Sequence, residues 1–495
     1  MKKNNILLVI SVILLFFVEC LHFTIEYLNK YYVVNFEMVV GVLGSKLNGT
    51  ASNILLTGIK YVAPRIIVVL TAYIFIIYIL DFNKIKTDIR IKIYKKTISF
   101  DPRVLLCLML IFLSILAINN ELIEFRVYDY ISSKREITNV YEEYLVEPND
   151  FIISSSGSEN NLILIYLESM EATFAGEEDV GGSLLENNLI PNLTKLANEN
   201  INFSNNNGFG GYNNFNATSW TMGGIFASQS GMPWFFPTLN HMNNNTEFAP
   251  KVITLGDILE KKGYKCEYLC GSDSSFAAKN SYFRTHGFDK IFDVYDMLEN
   301  GYIKDLNDYW GAEDYDVYRA AKDEVLKLSK ENVRFCFSML TTDTHGPGGY
   351  QCEHCINSYN SPYMNSIECA DNQINDFVTW LMKQEFYKNT TIIIIGDHVT
   401  MDGILSENSD YSNRFVYNCF INSKVTPVNE KNRLFNNTDL FPSIVASLGF
   451  EIEGNKLGFG TNLFSNEKTL QEKLGYEFLN DEFSKKSKFV ERNYY

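Results

Sequence analysis

Apolar residues follow two patterns along this chain. Ahead of residue 120 they gather into long runs, and from Asn161 onward they form short runs that alternate with amphipathic stretches. The second pattern is sharpest at Thr391 to His398, Thr-Ile-Ile-Ile-Ile-Gly-Asp-His. Consecutive isoleucines are apolar on both faces, which predicts a central strand covered on both sides of a sheet. Asn161 to Ser169 and Val333 to Leu340 read the same way, and Tyr264 to Cys270 adds a further strand. Helices are predicted at Pro191–Asn200, with Pro in the first turn, and at Ile253–Lys262, ending before Gly263. Two more follow at Met364–Phe386 and at Asp439–Leu448, the latter closed by Gly449. Such alternation predicts an α/β architecture.

The first pattern predicts membrane helices. Met1-Lys-Lys-Asn-Asn precedes the apolar run Ile6–Val18, and Glu19-Cys-Leu-His22 offers no small-residue cleavage site, so an uncleaved helix is expected. Residues 23–60 are mixed, with a turn at Asn48-Gly-Thr50, and are not expected to span. Tyr61–Leu80 has the length of a span, and Val104–Ile118 needs its flanks to reach that length. Between them lie Lys84, Lys86, Arg90, Lys92, Lys95, Lys96 and Arg103, either a solvated charge run or a cytoplasmic loop. Flanked by two apolar stretches, it reads as cytoplasmic. The expected topology starts inside, crosses three times and places everything after Asn119 outside.

Charge sharpens this division. Residues 1–120 hold 13 basic and 6 acidic side chains, leaving 30 basic and 53 acidic for the remainder. A body that acidic argues against nucleic acid as a partner. A phosphate substrate there needs a metal and local cations to hold it. Cysteine usage raises a second question. Cys352-Glu-His-Cys355 with Cys369, and Cys266 with Cys270, are candidate disulfides if the body lies outside the cytoplasm. Alternatively Cys352, His354 and Cys355 form a zinc knuckle, although no second Cys-x-x-Cys completes it.

Candidate chemistry collects at strand ends. Asp397 and His398 follow the isoleucine strand, Glu168 follows the Asn161 strand, and Thr341-Thr-Asp-Thr-His345 follows the Val333 strand. Ligands in open α/β sheets bind beyond the carboxyl ends of strands, and carboxylate plus imidazole suits a divalent cation. Asn213–Gly231 is a loop leading into an apolar helix, with Thr218 or Ser219 at its expected start. Either hydroxyl is an ordinary N-cap. The same place also suits a nucleophile, because helix N-termini attract phosphate and a metal can activate a hydroxyl.

Leu167-Glu-Ser169, Ala217-Thr-Ser219, Trp310-Gly311 with Asp314, Asp343-Thr-His345 and Gly396-Asp-His398 occur in an order that resembles a known family. It is that of the membrane-anchored phosphoglycerol transferases and lipoteichoic acid synthases of the alkaline phosphatase/sulfatase superfamily. The resemblance covers about 161–465, including Leu440-Phe-Pro-Ser-Ile-Val445 and Leu457-Gly-Phe-Gly-Thr-Asn-Leu-Phe464. Ser275-Phe-Ala-Ala-Lys279, Thr285-His-Gly-Phe288 and the cysteines after His345 resemble the branch that decorates osmoregulated periplasmic glucans more than the synthases. It implies an alkaline-phosphatase-like central sheet flanked by helices, preceded by the transmembrane region. By that likeness Glu168, Thr218, Asp397 and His398 hold one Mn²⁺ or Mg²⁺, and Thr218 is the nucleophile. His345, Lys279, Ser219 and Trp310 contact substrate. Ala277 and Lys279 stand where the synthases use Trp and Arg. Lys279 keeps the charge without the planar fork. Sulfatases carry Pro two residues after their nucleophile and Arg two beyond it, whereas Trp-Thr-Met-Gly follows Ser219, so the sulfate-ester signature is absent.

The expected division is a transmembrane region at 1–120, a linker at 121–160, a catalytic domain at 161–465 and a tail at 466–495. The expected reaction moves phosphoglycerol from phosphatidylglycerol, released as diacylglycerol, onto an extracytoplasmic glycan, with acceptor contacts on loops such as 232–250. Phosphoethanolamine transfer, glycerol-phosphate polymerisation and a silent receptor or scaffold of the same fold are the alternatives. An intact ligand set argues against the last.

Overall fold

The computed structural model describes residues 2–31, 36, 52–82, 89–93, 96–100, 102–149, 152–176, 185–236, 247–402 and 411–494. The chain divides into two units, residues 1–36 with 52–131, and residues 37–51 with 132–495.

In the first unit the helices are α1 (Lys2–Tyr31), α2 (Ser52–Phe82) and α3 (Pro102–Glu124). Among the described residues, Val9–Tyr31, Leu56–Phe75 and Val104–Glu124 are long and apolar enough to cross a membrane. Residues 23–31 therefore extend the first helix, and the second span begins before Tyr61, contrary to the expectation that 23–60 do not span. Polar groups there are paired between helices: Tyr61 Oη donates to Glu26 Oε1 at 2.9 Å, and Ser11 Oγ lies 2.8 Å from Tyr73 Oη. Such pairing lets polar side chains enter an apolar layer. Within the basic run the backbone forms a hairpin, β1 (Ile89–Ile93) antiparallel to β2 (Lys96–Phe100). Lys84, Lys86, Lys95 and the Asn48–Thr50 turn lie outside the described residues.

The second unit follows in order: β3 (Ile153–Ser154), β4 (Asn161–Leu167), α4 (Pro191–Glu199), α5 (Thr221–Ser230), α6 (Leu255–Lys261), β5 (Lys265–Cys270) and β6 (Lys290–Phe292). Next come α7 (Asp314–Ser329), β7 (Phe335–Leu340), α8 (Pro362–Leu381), β8 (Thr390–Gly396), β9 (Asn418–Ile421), α9 (Asn437–Ser447) and β10 (Glu451–Ile452). The sheet order is β6-β5-β7-β4-β8-β9, parallel except for the β9 edge. Alternation along the strands sorts the core. Leu162, Leu164, Tyr166, Ile393 and Ile395 face one layer, and Ile163, Ile165, Leu167, Ile392 and Ile394 face the other. Residues of α5, α6 and α9 cover the first face, and α4, α7 and α8 cover the second. This is the three-layer α/β sandwich that the strand pattern predicted, with a central sheet flanked by helices as the family resemblance implied.

Two stretches are more integrated than expected. Residues 132–160 are not a free linker: Val146 bridges Gly458, β3 pairs with β10, and Tyr141 is buried with its ring 5.0 Å from Phe459. The tail carries α10 (Leu470–Leu474), α11 (Tyr476–Ser484) and α12 (Lys488–Asn493). Asn480 Oδ1 accepts from the Asn216 N–H at 2.8 Å, and Tyr476 stacks on Phe215. Cys266 and Cys270 both lie on β5 and are free thiols. Four residues of strand separate their Cα atoms by about 13 Å, well beyond disulfide reach.

A fully buried ion pair fixes the turn after β4. Arg414 forks onto Glu171, with Nε 3.2 Å from Oε2, and also donates to the Thr400 carbonyl at 2.7 Å. Arg414→Ala strands the Glu171 carboxylate in the core and should cost about 3–5 kcal/mol. Thermal unfolding of the detergent-solubilised chain checks this, and an unchanged midpoint contradicts it.

Candidate active site

Leu167 pairs with Gly396, so Glu168 and Asp397 leave the sheet side by side. Gly396 is demanded by a close approach, since a Cβ there would stand 2.1 Å from the Met170 carbonyl oxygen. Ser169 adopts a left-handed φ of 52°, and its Oγ donates to Glu168 Oε1 at 2.7 Å. His398 Nε2 lies 3.3 Å from Glu168 Oε1 and 3.5 Å from Asp397 Oδ2, and all three side chains are buried.

The donor arithmetic fits a cation at this point. His398 Nδ1 lies 2.7 Å from the Val399 carbonyl, which only accepts, so Nδ1 carries a proton, and in the neutral ring Nε2 turns its lone pair to the carboxylates. Asp397 Oδ1 accepts from the N–H groups of Ser169 and His398, both at 2.8 Å, whereas Oδ2 has no hydrogen-bond partner. One imidazole nitrogen and two carboxylates converge within 4.8 Å, and once His398 is neutral all three offer lone pairs to one point. Their chemistry suits a divalent cation.

The hydroxyl that lies beside both Glu168 and His398 from the helix side belongs to Thr221. Its Oγ1 lies 3.3 Å from Glu168 Oε2 and 3.5 Å from His398 Nε2, at the first residue of α5. Thr218, expected there from sequence, sits in a short 3-10 turn, Asn216–Thr218. Its Oγ1 donates to Asn437 Oδ1 at 2.9 Å and accepts the Phe215 N–H at 3.0 Å. Ser219 Oγ donates to the Asn216 carbonyl at 3.0 Å, and the N-cap of α5 is Trp220, with no side-chain cap. The extra turn moves the helix start, and with it the exposed N–H groups, three residues on from Thr218. Gly224 then lets α5 pack onto the loop after β8, where a Cβ would meet the Asp397 carbonyl oxygen at 2.0 Å.

A second wall faces the carboxylates. The His345 ring lies 4.7 Å from Trp310, Trp310 lies 5.3 Å from Phe276, and Lys279 Nζ stands 5.0 Å from the Phe276 ring. Trp310 Nε1 is a buried donor without a partner. Lys279 is buried, and its pKa is pulled down by that burial against the opposing pull of Glu168 and other acids. Ala277 and Ala278 hold left-handed φ of 54° and 61° just before it. Such strain costs roughly 1–2 kcal/mol per residue and fixes where Lys279 leaves the chain. Burial also lowers His345, so it is neutral at pH 7, and its Nδ1 lies 2.7 Å from the Gly346 carbonyl. Nε2 is thereby left as an acceptor.

The sulfatase family profile matches residues 160–450, more than half of the chain. The chain belongs to the sulfatase family. A phosphoglycerol transferase I from Xanthomonas campestris pv. campestris (strain B100) is 31% identical over 315 residues, 62% of this chain and 43% of that relative. The chain thus spans less than half the length of that curated relative. The integral membrane protein lipooligosaccharide phosphoethanolamine transferase A from Neisseria meningitidis shares the fold at a TM-score of 0.52 and 13% identity, covering 89% of this chain and 84% of that one. Lipoteichoic acid synthase LtaP from Listeria monocytogenes superposes at 0.50 with 16% identity, covering 66% of this chain and 80% of that one.

In this sulfatase-family chain, sequence reasoning missed Thr221 and the amides that brace the loop before it. Asn437 Oδ1 takes donors from Thr218 and, at 2.7 Å, from Asn214, whose own Oδ1 accepts the Val399 N–H at 2.9 Å. No local pattern marks either asparagine, because each works through a partner about 180 to 220 positions away. Thr221 had a local signal in its place beside Trp220 and the glycines of an apolar helix, but the two hydroxyls before it looked like caps.

Burial, aided by the charge of Glu168, raises Asp397 to about 7. Burial raises Glu168, but the neighbouring imidazoles of His345 and His398 and the hydrogen bonds from His398 and Ser169 outweigh it and take it down to about 2. Burial lowers His398, but Asp397 and Glu168 more than reverse this and hold it up to about 9. A cation needs Asp397 ionised and His398 neutral, so protons compete with it. Affinity for Mn²⁺ should therefore climb with pH between about pH 6 and 9, by up to ~10-fold per unit for each proton displaced. Calorimetric titration of the solubilised chain reads this slope, and a flat profile contradicts it.

Proposed function

We propose that this chain moves phosphoglycerol from phosphatidylglycerol to an extracytoplasmic glycan through a covalent adduct on Thr221. The observation that carries the proposal is the Thr221 hydroxyl at the start of α5, within 3.5 Å of both Glu168 and His398. Glu168, Asp397 and His398, with Thr221 beside them, would hold one Mn²⁺ or Mg²⁺, whose charge favours an alkoxide and steadies a phosphate. In the first step Thr221 Oγ1 bonds to phosphorus, and the bond from phosphorus to the glyceride oxygen breaks. Diacylglycerol leaves with the proton that Thr221 gave up. In the second step a glycan hydroxyl attacks the same phosphorus, and the Thr221 oxygen departs.

The chain's own groups divide this work. The N–H groups of the first α5 turn face the phosphate. His345 Nε2 is free to take a proton from the incoming hydroxyl and hand it to the departing threonine oxygen. Lys279 and Trp310 Nε1 are placed to bind the phosphoglycerol, because each is a buried donor whose charge or hydrogen bond a phosphate oxygen or glycerol hydroxyl completes. Thr218 and Ser219 act as braces for the loop. The likeness to phosphoglycerol transferase I favours the phosphoglycerol headgroup over phosphoethanolamine.

Incubating the full chain in labelled phosphatidylglycerol, then mapping peptides by mass, tests the assignment. A glycerophosphoryl adduct is expected on Thr221. Thr221→Ala should remove it and lower turnover by roughly 10³-fold or more. Thr218→Ala should keep the adduct while costing about 1–3 kcal/mol, because buried Asn437 loses a donor. An adduct on Thr218 overturns the nucleophile, and a phosphoethanolamine adduct overturns the headgroup.

The same proposal sets the membrane arrangement: multi-pass, in a cytoplasmic membrane, with the catalytic unit outside. Reporter fusions at Lys96 and Asn120 should report opposite sides, and a shared side contradicts it.

A further inference from the structure

The motif Cys352-Glu-His-Cys355 plays no part in the transfer chemistry. Its two cysteines meet a third from α8. Cys352 Sγ lies 3.5 Å from Cys355 Sγ and 3.8 Å from Cys369 Sγ, and all three sulfurs fall within 4.8 Å of one another. A disulfide requires about 2.05 Å. Two thiolates on a tetrahedral ion, each at about 2.3 Å, stand about 3.8 Å apart. The observed spacing is that of thiolates sharing an ion.

Surrounding groups fit the same reading. Cys352 and Cys369 are buried, and Cys355 is only half-buried. Gln373, one turn beyond Cys369 on α8, directs its Nε2 at Cys369 Sγ (3.3 Å) and at Cys352 Sγ (3.7 Å). An amide N–H aimed at two sulfurs favours the thiolate form, as outer partners of metal ligands do. His354 does not complete the set as the knuckle reading expected. It lies outside the sulfur cluster, with its ring stacked 3.8 Å from Tyr315.

We propose that Cys352, Cys355 and Cys369 form a second metal site, a tri-thiolate centre for Zn²⁺, separate from the carboxylate–imidazole centre. Zn²⁺ displaces the three thiol protons to solvent, three S–H bonds giving way to three Zn–S bonds. Water is the fourth ligand and reaches the ion past Cys355. The centre ties the segment after His345 to α8. That segment is held at its near end, where the Tyr350 N–H donates to the Asp343 carbonyl at 2.7 Å, and at its far end, where the Tyr359 N–H donates to Asn365 Oδ1 at 2.8 Å. The site does not depend on which group the enzyme transfers.

The test uses the full solubilised chain carrying His398→Ala, which weakens the carboxylate centre. Loaded with Co²⁺, it should show thiolate-to-cobalt charge-transfer absorption, which oxygen and nitrogen ligands do not produce. Alkylation should find the three thiols protected until a chelator is added. Cys369→Ser should abolish the absorption, and Gln373→Ala, which keeps every thiol, should weaken Zn²⁺ about 10–100-fold. A disulfide between any two of the three, or reactive thiols with no cobalt–sulfur absorption, overturns the site.

Discussion

Two carboxylates forced side by side in a dry place are the constraint on which the catalytic unit turns. Glu168 and Asp397 leave adjacent parallel strands at matched positions, and His398 adds its lone pair to theirs. Without a positive charge between them the arrangement must hold protons, which is why Asp397 rises to about 7 and His398 to about 9. A cation relieves the same repulsion without occupying the carboxylates with protons. The fold therefore stores unfavourable charge at one point and directs it at a ligand.

Holding that point still takes backbone and amide contacts. Gly396 and Gly224 let backbone segments approach to distances that no Cβ permits, bringing the start of α5 against the Asp397 loop. Asn437, Asn214 and Thr218 join that loop to α9, and the Arg414–Glu171 pair anchors the turn after β4. The helices of the tail support residues 213–216 from outside. A hydroxyl acting on phosphorus depends on placement to within a fraction of an ångström. These braces are polar and buried, so losing one partner leaves another unsatisfied.

The substrate-binding role we propose rests on a wall made of aromatic faces and one buried lysine. Lys279 is held over Phe276 by two left-handed alanines, and Trp310 lies between Phe276 and His345, tilted to both rings.

The sequence by itself determined the elements and their order. Runs of isoleucine and leucine fixed which strands are buried on both faces, and Glu168, Asp397 and His398 stood out because they follow strand ends at once, with His345 a short loop beyond the end of β7. Those are local relations, set by a period of two residues and by where apolar runs stop. The length of apolar runs likewise identified the helices suited to a bilayer, though polar residues paired between helices hid how early α2 begins. Tertiary structure alone decided the rest. Thr221, not Thr218, meets the carboxylates because a 3-10 turn shifts the start of α5 by less than one helical turn, a difference that capping preferences do not resolve. Asn437, Asn214 and Arg414 act through partners distant in sequence, and the region before β4 and the tail pack where their polarity read as linker and end. Cys369, not His354, completes the sulfur cluster for the same reason. Spacing along a chain fixes which side chains are near in sequence, and only packing fixes which ones meet.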